Sequence, residues 1–356
     1  MMMLSIVGVQ INIFLLLFIG LAVGILSGFV GVGGGYLMTP ALIILGLPAN
    51  LAVGTSMAWI VGNSIVGTMR HWQMGNVDVK LGLVMIAGTV CGVEVGVRLL
   101  NWTKGVGYTD VAVLSTLIVI LVTIGAYTFR EVRSRKAQLD EALKNKDKLP
   151  PAMRSPSMAR KLQGLKIPPV IHFAKSRITI SLWVILSIAF ITGVLAGFVG
   201  VGGGFIMMPS LIYLIGLPSF MAVGTDIFQI IFSASFGCVR HTMSGNVVIL
   251  IAFLMLLGSS IGTQFGALIT QYVRGIAMRY ILIVSILLCV LGSILKVINL
   301  LMAVPLPWLQ KCAVGVTFGG IALVVIIVIA LFIMAIRYRR GLTVPGWVKV
   351  LVSREA

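Results

Sequence analysis

Gly28-Phe29-Val30-Gly31-Val32-Gly33-Gly34-Gly35 closes a long apolar run, and the same eight letters return at Gly197 to Gly204. Each glycine in a helix interior costs roughly 1 kcal/mol against alanine, so octets this rich in glycine interrupt helix. In hydrocarbon such a stretch persists only where it lines a cavity or is packed inside protein. Composition places it in hydrocarbon: 59% of the chain is hydrophobic and 10% charged, with several apolar runs near the ~20 residues of a bilayer span. The fold class expected is an all-α polytopic membrane protein with Gly-rich broken helices, and a soluble core is excluded.

The run before the first octet, Leu4 to Ser27, has no Lys or Arg ahead of it and no small-residue cleavage site, so it reads as a retained span. After the octet, Tyr36 to Leu47 supplies only about 18 Å of helix, too little to span alone. Gly54-Thr55-Ser56 is expected to break the next helix, which resumes at Met57 and ends in the polar corner Arg70 to Asp78. Spans near Leu81 to Leu100 and Thr109 to Phe129 complete this half.

The second half repeats the first. Pro40 aligns with Pro209, Gly46-Leu47-Pro48 with Gly216-Leu217-Pro218, and Ala52-Val53-Gly54-Thr55 with Ala222-Val223-Gly224-Thr225. Arg70-His71 aligns with Arg240-His241, and Gly75-Asn76-Val77 with Gly245-Asn246-Val247. Roughly 27 of 50 positions agree, which makes this an internal duplication. Spans near Val247 to Thr270 and Met278 to Val297 follow, and an extra one, about Cys312 to Ile336, has no counterpart. The expected organisation is a membrane repeat over 1–129, a basic linker over 130–177, a second repeat over 178–298, the extra span within 299–336 and a tail over 337–356.

The formal charge of +18 is a matter of topology. Arg130 to Arg177 holds 13 Lys/Arg against four Asp/Glu, and the tail from Arg337 adds five Lys/Arg against Glu355. Such clusters beside spans place both segments in the cytoplasm, with anionic lipid as a secondary contact and no nucleic-acid partner. Within the linker, Ala137 to Lys148 has the pattern of a short surface helix. If each Gly-rich piece crosses the membrane with its short helix, each half crosses five times, the N-terminus lies outside and the two copies are inverted. If the short pieces re-enter instead, the copies are parallel and the tail is outside. The four cysteines, Cys91, Cys238, Cys289 and Cys312, show no metal or redox spacing and read as small core residues; no metal or cofactor is expected.

The octets let backbone N–H groups converge on an anion, and the half-helix after each aims its positive dipole end at the same place. Gly31, Gly33, Gly34 and Gly35, with Gly200, Gly202, Gly203 and Gly204, are the candidate binding residues; tight helix packing is the alternative. Thr55, Ser56 and Thr225, at the expected second break, either bind ligand oxygens or cap their own helix. Asp226, where the first repeat has Ser56, and Glu94, whose partner is Gln264, are acids inside apolar sequence. A carboxyl is costly to ionise there, which suits proton coupling. Arg70, His71, Arg240 and His241 form cationic corners that draw anions to the vestibules or anchor headgroups. No nucleophile motif with an orienting acid is present, so an enzyme is not expected.

The paired GxxGxGGG-x4-P stretches, each followed by GLP, AVGT and an RH…GN corner, resemble the TauE/SafE family of sulfite exporters and related anion permeases. The resemblance spans roughly Ile11 to Phe129 and Ser181 to Val297. It implies a multi-pass protein of the cytoplasmic membrane that moves sulfite, a sulfonate or another small anion. The expectation that follows is a secondary transporter working by alternating access; a passive anion channel and a permease for a non-sulfur organic anion are the alternatives. Oligomeric state is not legible in the sequence.

Overall fold

A computed structural model of the chain describes residues 3–6, 9–30, 33–144, 162, 164, 167–176, 178–270, 272–273, 275–302, 304–340, 342–343 and 345. Each repeat opens on a β-hairpin. In the first, β1 (Met3–Ile6) and β2 (Val9–Asn12) lead into α1 (Ile13–Val30), α2 (Gly35–Ile44), α3 (Ala49–Gln73), α4 (Val79–Val106) and α5 (Thr109–Lys144). In the second, β3 (Val170–Phe173) and β4 (Ile178–Ser181) lead into α6 (Leu182–Val199) and α7 (Gly204–Ser210). A π-helical turn (Leu211–Ile215), α8 (Ser219–Met243), α9 (Ile249–Thr270) and α10 (Gly275–Leu301) complete it, and the extra span α11 (Pro307–Arg339) follows. Among the described residues nine helices are long and apolar enough to cross a membrane, while α2 and α7 with its π turn are not.

The structure corrects several expectations. Leu4 to Ile6 and Val9 to Asn12 pair in the first hairpin, and the helix begins only at Ile13. The second hairpin straddles the expected end of the linker, because Val170 to Phe173 pairs with Ile178 to Ser181. Ala137 to Lys144 continues α5 instead of forming its own helix, and 145–148 lie outside the described residues. Cys289 is buried, but Cys91 and Cys312 are exposed on outward faces.

The expected break at Gly54-Thr55-Ser56 is absent: α3 runs unbroken through it, as α8 does through Gly224-Thr225-Asp226. These glycines serve close approach. A Cβ on Gly54 would lie 2.1 Å from the Asn246 carbonyl oxygen, and one on Gly224 2.4 Å from that of Asn76. The corner of each repeat thus rests on a helix of the other.

One residue separates the repeats in length here, since the first repeat has no residue corresponding to Ile215 between Leu45 and Gly46. The extra residue is taken up by the wider π turn, the usual way a helix absorbs an insertion. In α2, Pro40 removes the N–H that would bond the Tyr36 carbonyl, and the Cys289 thiol donates to that oxygen instead (3.5 Å).

Packing exchanges helices between the repeats. α1, α3 and α9 run parallel: Gly20, Gly24 and Gly28 of α1 lie on the backbone of Met255, Ser259 and Thr263, and Trp59 and Asn63 of α3 bond Ser259 and Thr263. α4, α6 and α8 form the corresponding set, with Gly193 and Gly197 on Thr89 and Val93, and Gly82 on Phe228. These contacts need glycine, since a Cβ on Gly262 or Gly92 would lie 2.2 Å from the carbonyl oxygen of Leu21 or Phe190. The two sets meet at α3 and α8, which cross antiparallel, Gly54 on His241, Met57 on Gly237 and Gly67 on Ile227.

Because α1 and α3 point the same way, the octet and α2 between them make the return leg. The first hairpin and the α8–α9 corner lie at one end of the bundle. The end of α5, the second hairpin and the end of α11 lie at the other, where Arg279 of α10 bonds Glu131 and Arg339 covers the Tyr272 ring.

Candidate functional site

Left-handed backbone at Gly33 (φ 80°) and Gly34 (φ 73°), and at Gly200 (75°), Gly202 (73°) and Gly203 (81°), turns the chain from each long helix into its half-helix. Glycine adopts this conformation without steric cost. Gly34 and Gly203 are the N-caps of α2 and α7; Gly31 lies outside the described residues.

The two half-helices begin against each other. Tyr36 and Phe205, corresponding second residues, stack with ring centroids 4.6 Å apart, and a Cβ on Gly35 would lie 2.5 Å from the Val201 carbonyl oxygen. First-turn N–H groups have no partner within their own helix. Among the described residues no acceptor takes those of Gly34, Gly35 and Tyr36, or of Gly203, Gly204 and Phe205. Two dipole ends, each worth roughly half a positive charge, therefore face one buried point.

On the first repeat's side this point has a polar wall. A Cβ on Gly34 would lie 2.9 Å from both the Ser27 Cβ and the Trp59 ring. Asn63 Nδ2 donates to Ser27 Oγ (3.0 Å), Thr263 Oγ1 donates to Asn63 Oδ1 (2.5 Å), and Trp59 Nε1 donates to Ser259 Oγ (2.8 Å). All five side chains are buried. The Ser27 hydroxyl proton and the second Asn63 amide proton have no acceptor among the described residues. Sequence reasoning missed this wall, although Trp59/Asn63 and Ser259/Thr263 sit one turn apart in apolar helices and so share a face.

The remaining candidates are dispersed. Thr55 Oγ1 accepts from the Val248 N–H and Thr225 Oγ1 from the Asp78 N–H (3.0 Å each), so both threonines hold the corner of the opposite repeat. Asp78 in turn caps α4 at Leu81 and accepts from Ser176 in the second hairpin. Ser56 is buried and its hydroxyl has no described partner.

Glu94 accepts from Arg240 through both oxygens (2.6 and 2.9 Å) and from Arg98 (2.8 Å), at a partly exposed position. The corner at 240–241 is therefore no free cationic vestibule. Arg240 is spent on Glu94, and His241 is buried with Nε2 on the Gly197 carbonyl (3.0 Å), behind the second octet. Arg70 is exposed and His71 half-buried at the other end. Asp226 is completely buried on α8, where Gln229 Nε2 donates to its Oδ1 (3.2 Å).

The sulfite exporter TauE/SafE family model matches residues 16–294 of this chain. The "Probable membrane transporter protein YunE" of Bacillus subtilis (strain 168) is 26% identical over 286 residues, covering 78% of this chain and 95% of that protein. The "Probable membrane transporter protein YjnA" of the same strain is 24% identical, covering 76% and 96%. No solved structure matches.

Proposed function

This chain belongs to the sulfite exporter TauE/SafE family, and on that premise we propose that it carries a small anion, foremost sulfite or a sulfonate, across the cytoplasmic membrane. That it is a membrane transporter follows from the family and from its transporter relatives. The observation that carries the anion reading is the meeting of two half-helix starts whose buried N–H groups have no acceptor among the described residues, beside the neutral donors of Ser27 and Asn63. Buried donors left unpaired cost about 1–3 kcal/mol each, and an oxyanion would satisfy several at once.

The arrangement supports alternating access more than an open channel. Residues 33–44 and 200–205 are buried, and cavities beside Tyr36 and Leu37 of α2 hold only about 10 Å3 each, which favours ligand entry by parting of the helices. Antiparallel α3 and α8, corresponding segments of the duplication, support inverted repeats with the sets α1/α3/α9 and α4/α6/α8 as the moving bodies. The basic linker and tail leave from one end of the bundle, which the positive-inside rule makes cytoplasmic.

Counterflow in proteoliposomes loaded with sulfite tests the reading, with sulfite, thiosulfate, sulfate, taurine and sulfoacetate offered outside. Exchange of at least one of these above protein-free vesicles is expected. Exchange of none, by protein that remains folded, overturns it.

A further inference from the structure

The two repeats differ where their central helices pass the octets. At corresponding positions α3 carries Ser56 and Trp59, and α8 carries Asp226 and Gln229. These residues are three apart, hence neighbours on one helix face. Trp59 reaches Ser259 and walls the first octet, whereas Gln229 bends back to Asp226. Both exchanges therefore fall on one contact: the second repeat has replaced a hydroxyl and an indole by a carboxyl and its amide partner.

That pair is buried and unfinished. Asp226 and Gln229 are 0% and 1% exposed, and Asp226 Oδ2 and Gln229 Oε1 have no donor among the described residues. α8 packs on α3, α4, α7 and the π turn. The titratable groups these elements bring to this end are Arg70 and His71 on α3, Asp78 and Lys80 at the start of α4, and Tyr213 on the π turn. Asp78 is taken by Leu81 and Ser176, Lys80 lies on the His172 carbonyl and the Phe173 ring, Arg70 is exposed, and Tyr213 packs on Tyr127. His71 is half-buried with Nδ1 unpartnered. None of them forms an ion pair with Asp226.

We propose that Asp226 and Gln229 form a proton site, distinct from the anion site at the octets, that couples anion movement to the proton gradient; this rests on the transport reading above. A proton from water on one side forms the O–H bond of the Asp226 carboxyl, and that bond breaks to water on the other side once the helices have rearranged. Gln229 serves both states. Its amide N–H donates to the carboxylate, and its carbonyl, after rotation of the amide, accepts from the acid. Tryptophan, a donor only, could not do this. Two unpartnered oxygens satisfy a proton, whereas hard metal cations gather about six or more oxygen ligands. Glu94, bonded by two arginines, is outside this site.

The test uses the full chain in proteoliposomes and a strong-acid sulfonate that the counterflow panel shows to be carried, because its charge is constant across the pH range. Uptake driven by an imposed pH difference, at clamped voltage, is divided by the same variant's counterflow. The wild type should show a several-fold ratio, and Asp226→Asn and Asp226→Ser should bring it to one; serine is what the first repeat holds at this position. Gln229→Leu should shift the pH at which stimulation is half-maximal, a change that mere loosening of the fold would not produce. Difference infrared spectra should lose a protonated-carboxyl band in Asp226→Asn. A pH-stimulated ratio retained by either Asp226 variant overturns the proposal, as does a wild type that exchanges the sulfonate yet ignores the pH difference or follows a sodium gradient instead. Absence of counterflow in the wild type overturns the anion reading itself.

Discussion

Gly34 and Gly203 are corresponding N-caps with nearly the same backbone, φ 73° and 81°, but with different surroundings. Alanine at either position holds an L-residue in the left-handed region, at a cost of about 1–2 kcal/mol. At Gly203 little else is added, since the new Cβ would meet the Ala196 Cβ at 3.5 Å, an ordinary contact. At Gly34 it would press on Ser27 and Trp59 at 2.9 Å, and Trp59 is pinned by Ser259, so overpacking adds about 1–3 kcal/mol. Gly203→Ala should therefore lose about 1–2 kcal/mol and Gly34→Ala about 2–5 kcal/mol. Denaturant unfolding in detergent, followed by tryptophan fluorescence, reads the difference. Equal losses, or a greater one at Gly203, would refute the placement of the Trp59 wall. Because Gly203→Ala is the milder change, it also separates folding from function: a methyl group among the unpaired N–H groups should slow counterflow about tenfold, the effect of about 1.4 kcal/mol.

Three further outcomes are expected. Single cysteines placed in the 145–161 linker and after Gly341 should be shielded from an impermeant thiol reagent in intact cells while one at Ser5 is labelled, and labelling of the tail without Ser5 would reverse the assigned orientation. Thr55→Val and Thr225→Val should each lose about 1–3 kcal/mol by stranding the part-buried N–H of Val248 or the buried one of Asp78, with the KM for the anion unchanged; a raised KM at normal stability would return these hydroxyls to the ligand. Glu94→Gln should keep the pH-stimulated ratio of the wild type in the same vesicles, because its partners are Arg240 and Arg98, and loss of the ratio would move coupling to that end of the bundle.

The sequence by itself determined the helical membrane class, the duplication and the half-helix after each octet, because these depend on composition, repeat and local propensity. Among the described residues, nine apolar helices and the short α2 and α7 lie where the apolar runs and glycines indicate. What the tertiary structure alone decided is which atoms lie opposite each residue. Glycine both breaks a helix and lets a foreign backbone touch it, so Gly33 and Gly54 read alike as letters; only the fold shows a left-handed turn at one and the Asn246 carbonyl against the other. A hydroxyl beside such a glycine likewise has no fixed role until its partner is known, and for Thr55 and Thr225 the partner is a corner of the opposite repeat. The first hairpin escaped notice because Leu4 to Asn12 is apolar enough to merge with the run it feeds, and hydropathy does not distinguish strand from span. Ser27, Asn63 and Thr263 come from three helices of two repeats, and Asp226 is set apart from Glu94 by a glutamine on one side and two arginines on the other. The Thr263–Asn63 and Arg240–Glu94 bonds join segments far apart in the chain and form only when the two repeats exchange helices, whereas Asp226–Gln229 and Glu94–Arg98 lie within one turn of a helix.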